Sequence, residues 1–211
     1  MKTIVHVMRH GEVFNPSKIL YGRIPDFHLS ELGVKMAERA ADFFEDRDVV
    51  LVVASPLERA QETAAPIAKR KNIELGTDAN LLEAENIFEG KRVSVGDGVL
   101  RKPSTWRHLW NPFRPSWGEP YVELAARMRV AIDVARITAA GHEAVLVSHQ
   151  LPIWIARLDA EKRRLWHDPR KRQCNLASIT SFVFEDAQLV AIEYHEPAKD
   201  LVEISTRGVG A

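Results

Sequence analysis

The sequence has only one cysteine, Cys174, in 211 residues. A lone cysteine excludes an internal disulfide and is typical of a protein from the reducing cytoplasm. We expect it to be a small buried residue rather than a nucleophile. No stretch approaches the roughly 20 apolar residues that a membrane helix requires, and His6 and Arg9 interrupt the first apolar run before it resembles a signal peptide. We therefore expect a cytoplasmic protein with no membrane partner.

The sequence also lacks an excess of charge of either sign, because 29 Lys and Arg residues balance 29 Asp and Glu residues. Proteins that bind nucleic acid usually carry a basic surface, since their affinity depends on neutralising phosphates. A net charge of zero argues against a nucleic acid partner. Any anion that this protein binds must be held by a local site.

Apolar strands and amphipathic helices alternate along the chain. Strands are predicted at residues 3–8, 49–54 and 143–149, where apolar residues follow one another. Helices are predicted at 31–44, 56–70, 121–140 and 151–166. Ser30 and Ser55 are expected to cap the first two helices, with Pro56 in the first turn of the second. Pro66 is expected to kink that helix or to end its regular part.

Near the C-terminus, two apolar segments at 178–184 and 189–195 flank a polar turn at 185–188, which predicts a hairpin or edge pair. The fold class expected is α/β, a three-layer sandwich with a largely parallel central sheet, helices on both faces and an antiparallel edge. One domain accounts for residues 1–211. Ligands in such folds bind beyond the carboxyl ends of the strands.

Residues 84–120 break the alternation, because they are rich in Pro, Gly, Trp and Arg. We expect a cap-like insertion over the site, and the aromatic residues favour packing over disorder. Those aromatic residues are Trp106, Trp110, Phe113 and Trp117. The basic residues either bind a distal anion or form a solvated face, and they are Arg92, Arg101, Lys102, Arg107 and Arg114.

Cationic or reactive side chains follow all three predicted strands. Arg9 and His10 come after the first, Arg59 lies shortly after the second, and His149 ends the third. These strand ends meet in a parallel sheet, and guanidinium groups match phosphate oxygens with paired hydrogen bonds. The set lacks nearby carboxylates of the kind that ligate metals. The sequence therefore predicts a pocket for a phosphate dianion, with no metal.

Four segments, "RHGE", "SPLERAQETA", "LLEAENIFEG" and "VSHQLPIW", resemble the four sequence blocks of the histidine phosphatase superfamily, phosphoglycerate-mutase-like branch. The resemblance covers almost the whole chain and implies a phosphoglycerate-mutase-like fold without a cofactor. It implies that His10 is the nucleophile and forms a phosphohistidine. Arg9, Arg59 and His149 then hold the phosphoryl oxygens.

The resemblance also implies that Glu83 is the general acid, although Glu85 and Glu89 lie close by, and that Asn15 contacts the phosphate. Asn15 stands one residue nearer to His10 than is common in the family, and Phe14 replaces a usual Trp. Gln150 replaces a usual glycine, which puts a side chain near the pocket and makes it a candidate substrate-binding residue.

Two further residues of the first block have expected roles. Glu12 is expected to stabilise the loop, and Gly11 is expected to let the backbone approach a phosphate.

The acidic segment lacks the "NERHYG" run of glycolytic mutases, and a phosphatase needs only to admit water. The function expected is therefore hydrolysis of a small-molecule phosphate monoester. A phosphoglycerate mutase-type transfer is the first alternative. A relative that binds a phosphorylated ligand or a protein without catalysis is the second, although every residue needed for the chemistry is present.

Overall fold

The computed structural model describes residues 1–92 and 118–205. Its strands are β1 (Lys2–Arg9), β2 (Val49–Ala54), β3 (Leu75–Thr77), β4 (Glu143–Ser148), β5 (Ile179–Glu185) and β6 (Gln188–His195). They form one sheet in the order β3-β2-β4-β1-β5-β6. Three neighbouring pairs, β1 with β4, β2 with β4 and β2 with β3, are parallel. β5 runs antiparallel to both β1 and β6, so the antiparallel hairpin is confirmed, with β6 at the edge.

The helices are α1 (Glu31–Phe43), α2 (Glu58–Lys71), α3 (Tyr121–Thr138), α4 (Gln150–Ala160) and α5 (Lys199–Val202). Alternate residues of β1 point to opposite faces, as the pleat requires. Met8 packs with α1 and α2, whereas Val5 and Val7 pack with α3 and α4. The three-layer α/β sandwich is therefore confirmed, and β1 and β4 are covered on both faces.

Of the two predicted helix caps, one is confirmed and the other is wrong. Ser30 does cap α1, since its hydroxyl accepts a hydrogen bond from the Gly33 N–H. Ser55 does not cap α2, which begins at Glu58 without a side-chain cap. The Ser55 hydroxyl instead lies 2.9 Å from Nε2 of His149.

The ends of two helices also differ from the prediction. Pro66 does not end α2, because the helix continues to Lys71, whereas the kink expected as the alternative stays a prediction. α4 ends at Ala160, well before residue 166, where the sequence predicted its end. Lys162, two residues after Ala160, adopts a left-handed conformation, and a helix cannot continue through such a residue.

The described part of the insertion consists of residues 84–92 and 118–120. Asn86 and Gly118 form an isolated bridge across its base. Residues 93–117 lie outside the described residues. They contain the four aromatic residues of the insertion and all of its candidate anion-binding residues except Arg92. A cap over the site therefore stays a prediction. Among the helices of residues 1–92 and 118–205, none has the length and apolar character needed to cross a bilayer.

Candidate active site

The site begins where the two central strands end side by side. Arg9 is paired with Ser148 in the register of β1 and β4, and the His10 N–H donates to the Ser148 carbonyl at 3.1 Å. The residue that follows each strand is a histidine, His10 after β1 and His149 after β4, and both are fully buried. Their ring centroids are 5.2 Å apart. The expected meeting of strand ends therefore brings both imidazoles together.

One nitrogen of His10 is occupied and the other is free. Nδ1 lies 2.7 Å from the Gly11 carbonyl oxygen. Because a carbonyl only accepts hydrogen bonds, Nδ1 carries the ring proton and Nε2 keeps its lone pair. Nε2 has no hydrogen-bond partner among the described residues. Burial, and then the charges of Arg59 and Arg9, hold the pKa of His10 well below the ordinary 6.5. The imidazole is thus neutral and able to act as a nucleophile.

His149 has the opposite arrangement of ring nitrogens. Its Nε2 faces the Ser55 hydroxyl, whereas its buried Nδ1 has no partner in the described chain. With the hydroxyl donating, the ring proton lies on Nδ1, which can donate to a ligand. Burial, His10 and Arg59 hold the pKa of His149 well below its usual value. In this tautomer the ring is a neutral donor beside His10.

Arg59, on the first turn of α2, is fully buried and has no ion-pair partner among residues 1–92 and 118–205. Its Nη2 donates to the Gly22 carbonyl at 2.5 Å, and its guanidinium carbon lies 4.7 Å from the ring centroid of Tyr21. Nε and Nη1 have no described partner, and no described carboxylate lies within 4.0 Å of the group. Burial lowers its pKa. The Thr63 hydroxyl connects this helix to the loop after β1, because it accepts from the Gly11 N–H and donates to the Arg59 carbonyl.

Arg9 completes the cationic set. Its Nη1 donates to the Cys174 carbonyl at 2.8 Å, and its Nε is buried without a described partner. Five unpartnered polar atoms therefore belong to this one region: Arg9 Nε, His10 Nε2, Arg59 Nε and Nη1, and His149 Nδ1. Buried polar atoms in native proteins are nearly always hydrogen-bonded. Four donors around one lone pair have the character of a binding site for an electrophilic anion.

Glu83 is the buried carboxyl group of the acidic segment. It is 7% exposed, and its Oε1 accepts from the Ala84 N–H at 2.8 Å. Burial raises the pKa of Glu83, opposed in part by the Ala84 N–H and by Arg59, so the site favours the protonated form. Glu85, by contrast, has a side chain 69% exposed and paired with Arg23. Of these two neighbours, only Glu83 has the environment of a general acid.

Comparison with known proteins identifies the family. The sequence pattern of the Histidine phosphatase superfamily (branch 1) matches residues 5–196. The chain belongs to this superfamily. The uncharacterized protein Rv0525 of Mycobacterium tuberculosis is 58% identical over 197 residues, covering 93% of this chain and 98% of that protein. The resemblance drawn from the four sequence segments is thereby confirmed.

Two further proteins are similar to this chain. The probable phosphoglycerate mutase GpmB of Yersinia pestis is 28% identical over 187 residues, or 83% of each chain. The solved structure of a mycobacterial glucosyl-3-phosphoglycerate phosphatase matches with a TM-score of 0.67 and 23% identity, covering 92% of this chain and 97% of that one. At that identity the structural match establishes the fold, and it agrees with the phosphoglycerate-mutase-like architecture expected from the sequence.

The histidine phosphatase loop after β1 is held by contacts with α1. A Cβ on Gly11 would lie 2.6 Å from the Gly33 carbonyl oxygen, and one on Gly33 would lie 2.0 Å from the Glu12 carbonyl oxygen. Glu12 also accepts a hydrogen bond from the Ser30 hydroxyl at 2.6 Å. Glu12 thus has the structural role expected. Gly11 is required by this close approach to α1, and the expected approach of the Gly11 backbone to a phosphate stays a prediction.

Asn15 and Gln150 both border the cleft that also exposes Arg9. The Asn15 amide is used by its own loop, donating to the Ile19 carbonyl at 2.8 Å and accepting from the Ile19 N–H at 3.3 Å. Gln150, the first residue of α4, donates to the Cys174 carbonyl and accepts from Nη1 of Arg172, each at 3.3 Å. Their contact with a substrate stays a prediction.

Sequence reasoning missed three side chains that shape the site. Tyr21 faces both His10 and Arg59, Ser55 orients His149, and Arg172 joins the cleft beside Gln150. Each is distant in sequence from the residue that it contacts, so no local pattern announces it. Cys174 is buried as expected, and burial raises the pKa of its thiol to about 11, which makes it a poor nucleophile.

Proposed function

We propose that this member of the histidine phosphatase superfamily hydrolyses a small-molecule phosphate monoester through a phosphohistidine on Nε2 of His10. The observation that carries the proposal is the lone pair of that nitrogen, which is buried among donors and, like them, has no partner within residues 1–92 and 118–205. A lone pair in such a place has no structural use, because burial without a partner costs free energy. It is suited to attack on a phosphorus atom whose oxygens the donors bind.

In the first step, Nε2 of His10 attacks phosphorus and the bond from phosphorus to the ester oxygen breaks. Arg9, Arg59 and His149 donate hydrogen bonds to the three non-bridging oxygens, where negative charge is concentrated in the transition state. Glu83 transfers its proton to the departing oxygen, which leaves as an alcohol. The products are a phosphohistidine and an ionised Glu83.

In the second step, the Glu83 carboxylate accepts a proton from a water molecule while the water oxygen attacks phosphorus. The bond from Nε2 to phosphorus breaks, and inorganic phosphate leaves. His10 regains its lone pair and Glu83 regains its proton, so the cycle closes. These steps use side chains of this chain alone, with the guanidinium groups supplying the positive charge.

A mutase-type transfer is the second candidate, and the name of the Yersinia pestis relative favours it. The matched solved structure carries the name of a phosphatase. The two activities differ in the fate of the phosphohistidine, which passes either to water or back to a substrate oxygen. With 3-phosphoglycerate, a phosphatase releases inorganic phosphate. Rapid formation of 2-phosphoglycerate with little free phosphate would overturn the proposed hydrolysis.

The test of the proposal is turnover of simple phosphate esters in the presence of a metal chelator, by the wild-type protein and by His10→Gln. We expect the variant to lose at least about 10³-fold in kcat while keeping its melting temperature. Wild-type protein that binds phosphate but turns over no ester would instead support the binding-only alternative. The cytoplasmic location expected from the sequence stays a prediction, testable by cell fractionation.

A further inference from the structure

Two arginines from outside the four family segments hold the backbone of Glu83, the acid of the proposed reaction. Nε of Arg23 donates to the Glu83 carbonyl oxygen at 2.6 Å. Nη2 of Arg127, on α3, donates to the same oxygen at 3.3 Å. A carbonyl oxygen has two lone pairs, so it can accept both bonds. Two cations from distant parts of the chain therefore meet at one backbone atom of the acid.

The carbonyl that these arginines hold belongs to the same peptide unit as the N–H that contacts the carboxyl group. The Ala84 N–H donates to Oε1 of Glu83 at 2.8 Å. Because the peptide bond is planar and trans, fixing its carbonyl end also fixes the direction of its N–H. Oε1 accepts this bond, so the proton of the neutral acid lies on Oε2. The orientation of the 83–84 peptide unit therefore sets the position of the proton that the reaction uses.

Glu119 joins the two arginines into one cluster. Its Oε1 accepts from Nε of Arg127 at 2.8 Å, and its Oε2 accepts from Nη2 of the same guanidinium at 3.0 Å. Oε2 also accepts from Nη2 of Arg23 at 3.0 Å. The Glu119 side chain is 12% exposed, and forked bonds of this kind are strong and directional. We call Arg23, Arg127 and Glu119 the acid clamp.

Glu85 also contacts the acid clamp, but in water. Its Oε1 lies 2.8 Å from Nη1 of Arg23, and its side chain is 69% exposed. Exposed ion pairs of this kind contribute little to stability. The backbone of Glu85 is more closely involved, since its carbonyl accepts from the Glu119 N–H at 3.2 Å. Glu119 is therefore the carboxylate that holds the two arginines in place.

Arg23 also connects the acid to the phosphoryl-binding side of the site. The Gly22 carbonyl accepts from Nη2 of Arg59 at 2.5 Å. The N–H of the same peptide unit, which belongs to Arg23, donates to a Glu89 carboxylate oxygen at 2.9 Å. The backbone before Arg23 thus contacts Arg59, while its side chain holds Glu83. Through these bonds the acid clamp fixes the position of Glu83 relative to Arg59.

We propose that the acid clamp positions Glu83 for proton transfer to the leaving group. Its three members are positioning residues, because they act through the 83–84 peptide unit rather than on the substrate. Without them the peptide unit is free to rotate, and a misplacement of about 1 Å in a reacting group can cost about 100-fold in rate. The loss falls on esters whose leaving group needs a proton. This inference rests on the proposed hydrolysis, with Glu83 as its acid, and adds the residues that control that acid.

The test measures kcat/KM of Arg127→Met with an alkyl phosphate and with p-nitrophenyl phosphate, whose leaving group needs little protonation. We expect kcat/KM to fall by about 10- to 100-fold for the alkyl phosphate. For p-nitrophenyl phosphate we expect a loss of less than about 3-fold. The matched control is Arg129→Met, on the same helix, since Arg129 is 61% exposed and paired with Asp159. It should leave both values unchanged.

A role of the acid clamp in folding alone would lower kcat/KM equally for both esters in Arg127→Met. That result would overturn the inference and leave the proposed hydrolysis intact. Failure of the wild-type protein to hydrolyse either ester would refute the hydrolysis and the inference with it.

A double variant separates positioning from any independent role of Arg127. In the Glu83→Gln background no acid remains to be positioned, so Arg127→Met should change kcat/KM for the alkyl phosphate by less than about 3-fold. A further loss of about 10- to 100-fold in that background would show that Arg127 acts without Glu83, and would contradict the inference.

Two conservative variants decide the question if Arg127→Met fails to fold. Arg127→Lys keeps the charge without the fork, and Glu119→Gln keeps the shape without the charge. Each should lower the ratio of the alkyl value to the p-nitrophenyl value, by less than Arg127→Met does. An unchanged ratio in both variants would overturn the inference.

Discussion

His6 and His10 are two buried histidines of the same chain segment, and they differ in what their nitrogens contact. His6 lies within β1, where Nδ1 is 2.8 Å from the Ser181 hydroxyl and Nε2 is 2.9 Å from a Glu143 carboxylate oxygen. His10 follows the strand, and its Nε2 has no partner in the described residues. Burial lowers the pKa of both rings. Burial and a shifted pKa therefore do not separate a structural histidine from a reactive one.

What separates them is whether the hydrogen-bonding capacity of the ring is used. The interior of the sheet satisfies His6 completely, so its bonds contribute to folding. At the carboxyl end of the sheet, four side chains each have a polar atom without a hydrogen-bond partner in the described part of the chain: His10, His149, Arg9 and Arg59. Such a cluster costs stability in the free protein and is stabilised when an anion binds. The following predictions test this difference.

The largest effect is expected from Arg59→Met. Loss of a guanidinium that stabilises a transferring phosphoryl group lowers kcat by about 10³- to 10⁵-fold. The melting temperature of the free protein should not fall, because an uncompensated buried charge is removed. Arg70, on the exposed side of the same helix and paired with Glu38 and Asp42, gives the matched control Arg70→Met. That variant should keep its activity.

The change in melting temperature on adding inorganic phosphate tests whether the unpartnered atoms of the site bind an anion. Saturating inorganic phosphate at about 100 times its Kd should stabilise the wild-type protein by about 2.7 kcal/mol. Arg59→Met should lose most of this shift. An unchanged shift in that variant would show that the unpartnered atoms of Arg59 do not bind the anion.

The next effect is expected from Glu83→Gln, which keeps the shape of the side chain and removes the acid. Hydrolysis of alkyl phosphates should fall by about 10²- to 10⁴-fold. Hydrolysis of p-nitrophenyl phosphate should fall less, because its leaving group needs little protonation. Glu85→Gln is the control and should change either rate by less than about 3-fold, in line with its exposed position. A larger loss at Glu85 would move the acid to that residue.

The pH profile separates the two groups. His10 must be neutral to attack, and its pKa is lowered, so the acidic limb of kcat/KM should lie below 6.5. Glu83 must be protonated in the first step, and its pKa is raised, so the alkaline limb should lie above 4.5. Glu83→Gln should remove the alkaline limb and keep the acidic one, as continuous assays across the range would show.

The smallest effect on activity is expected from His6→Leu, which should change kcat by less than about 3-fold. It should lower the free energy of unfolding by about 1–3 kcal/mol, because Glu143 and Ser181 lose a partner. The folded-state pKa of His6 is lowered, so its contribution to stability is present above pH 6.5 and is lost as the pH falls below 6.5. Urea titrations at several pH values should give a shallower acid dependence for the variant.

Much of this arrangement could be predicted from sequence, because it is local. The apolar strands and the residues that follow them, such as His10 and His149, are read from neighbours in the chain. Which nitrogen of each ring has no partner could not be predicted, because it depends on contacts of the folded chain. The Gly11 carbonyl accepts from Nδ1 of His10, and Ser55, which follows a different strand, contacts Nε2 of His149. Arg172 was missed because it stands among basic residues, at 170–172, that resemble a solvated surface. In the structure, its guanidinium donates hydrogen bonds to His167 and to Gln150, which lies 22 positions away in the chain.

The central claim is that Nε2 of His10 accepts the phosphoryl group. The direct measurement is to react the wild-type protein with a ³²P-labelled phosphate ester, quench within milliseconds, and map the labelled peptide. We predict a label that is stable to base and labile to acid, located on His10, and absent in His10→Gln. Continued ester hydrolysis without a label on His10, or with the label on another residue, would contradict the account.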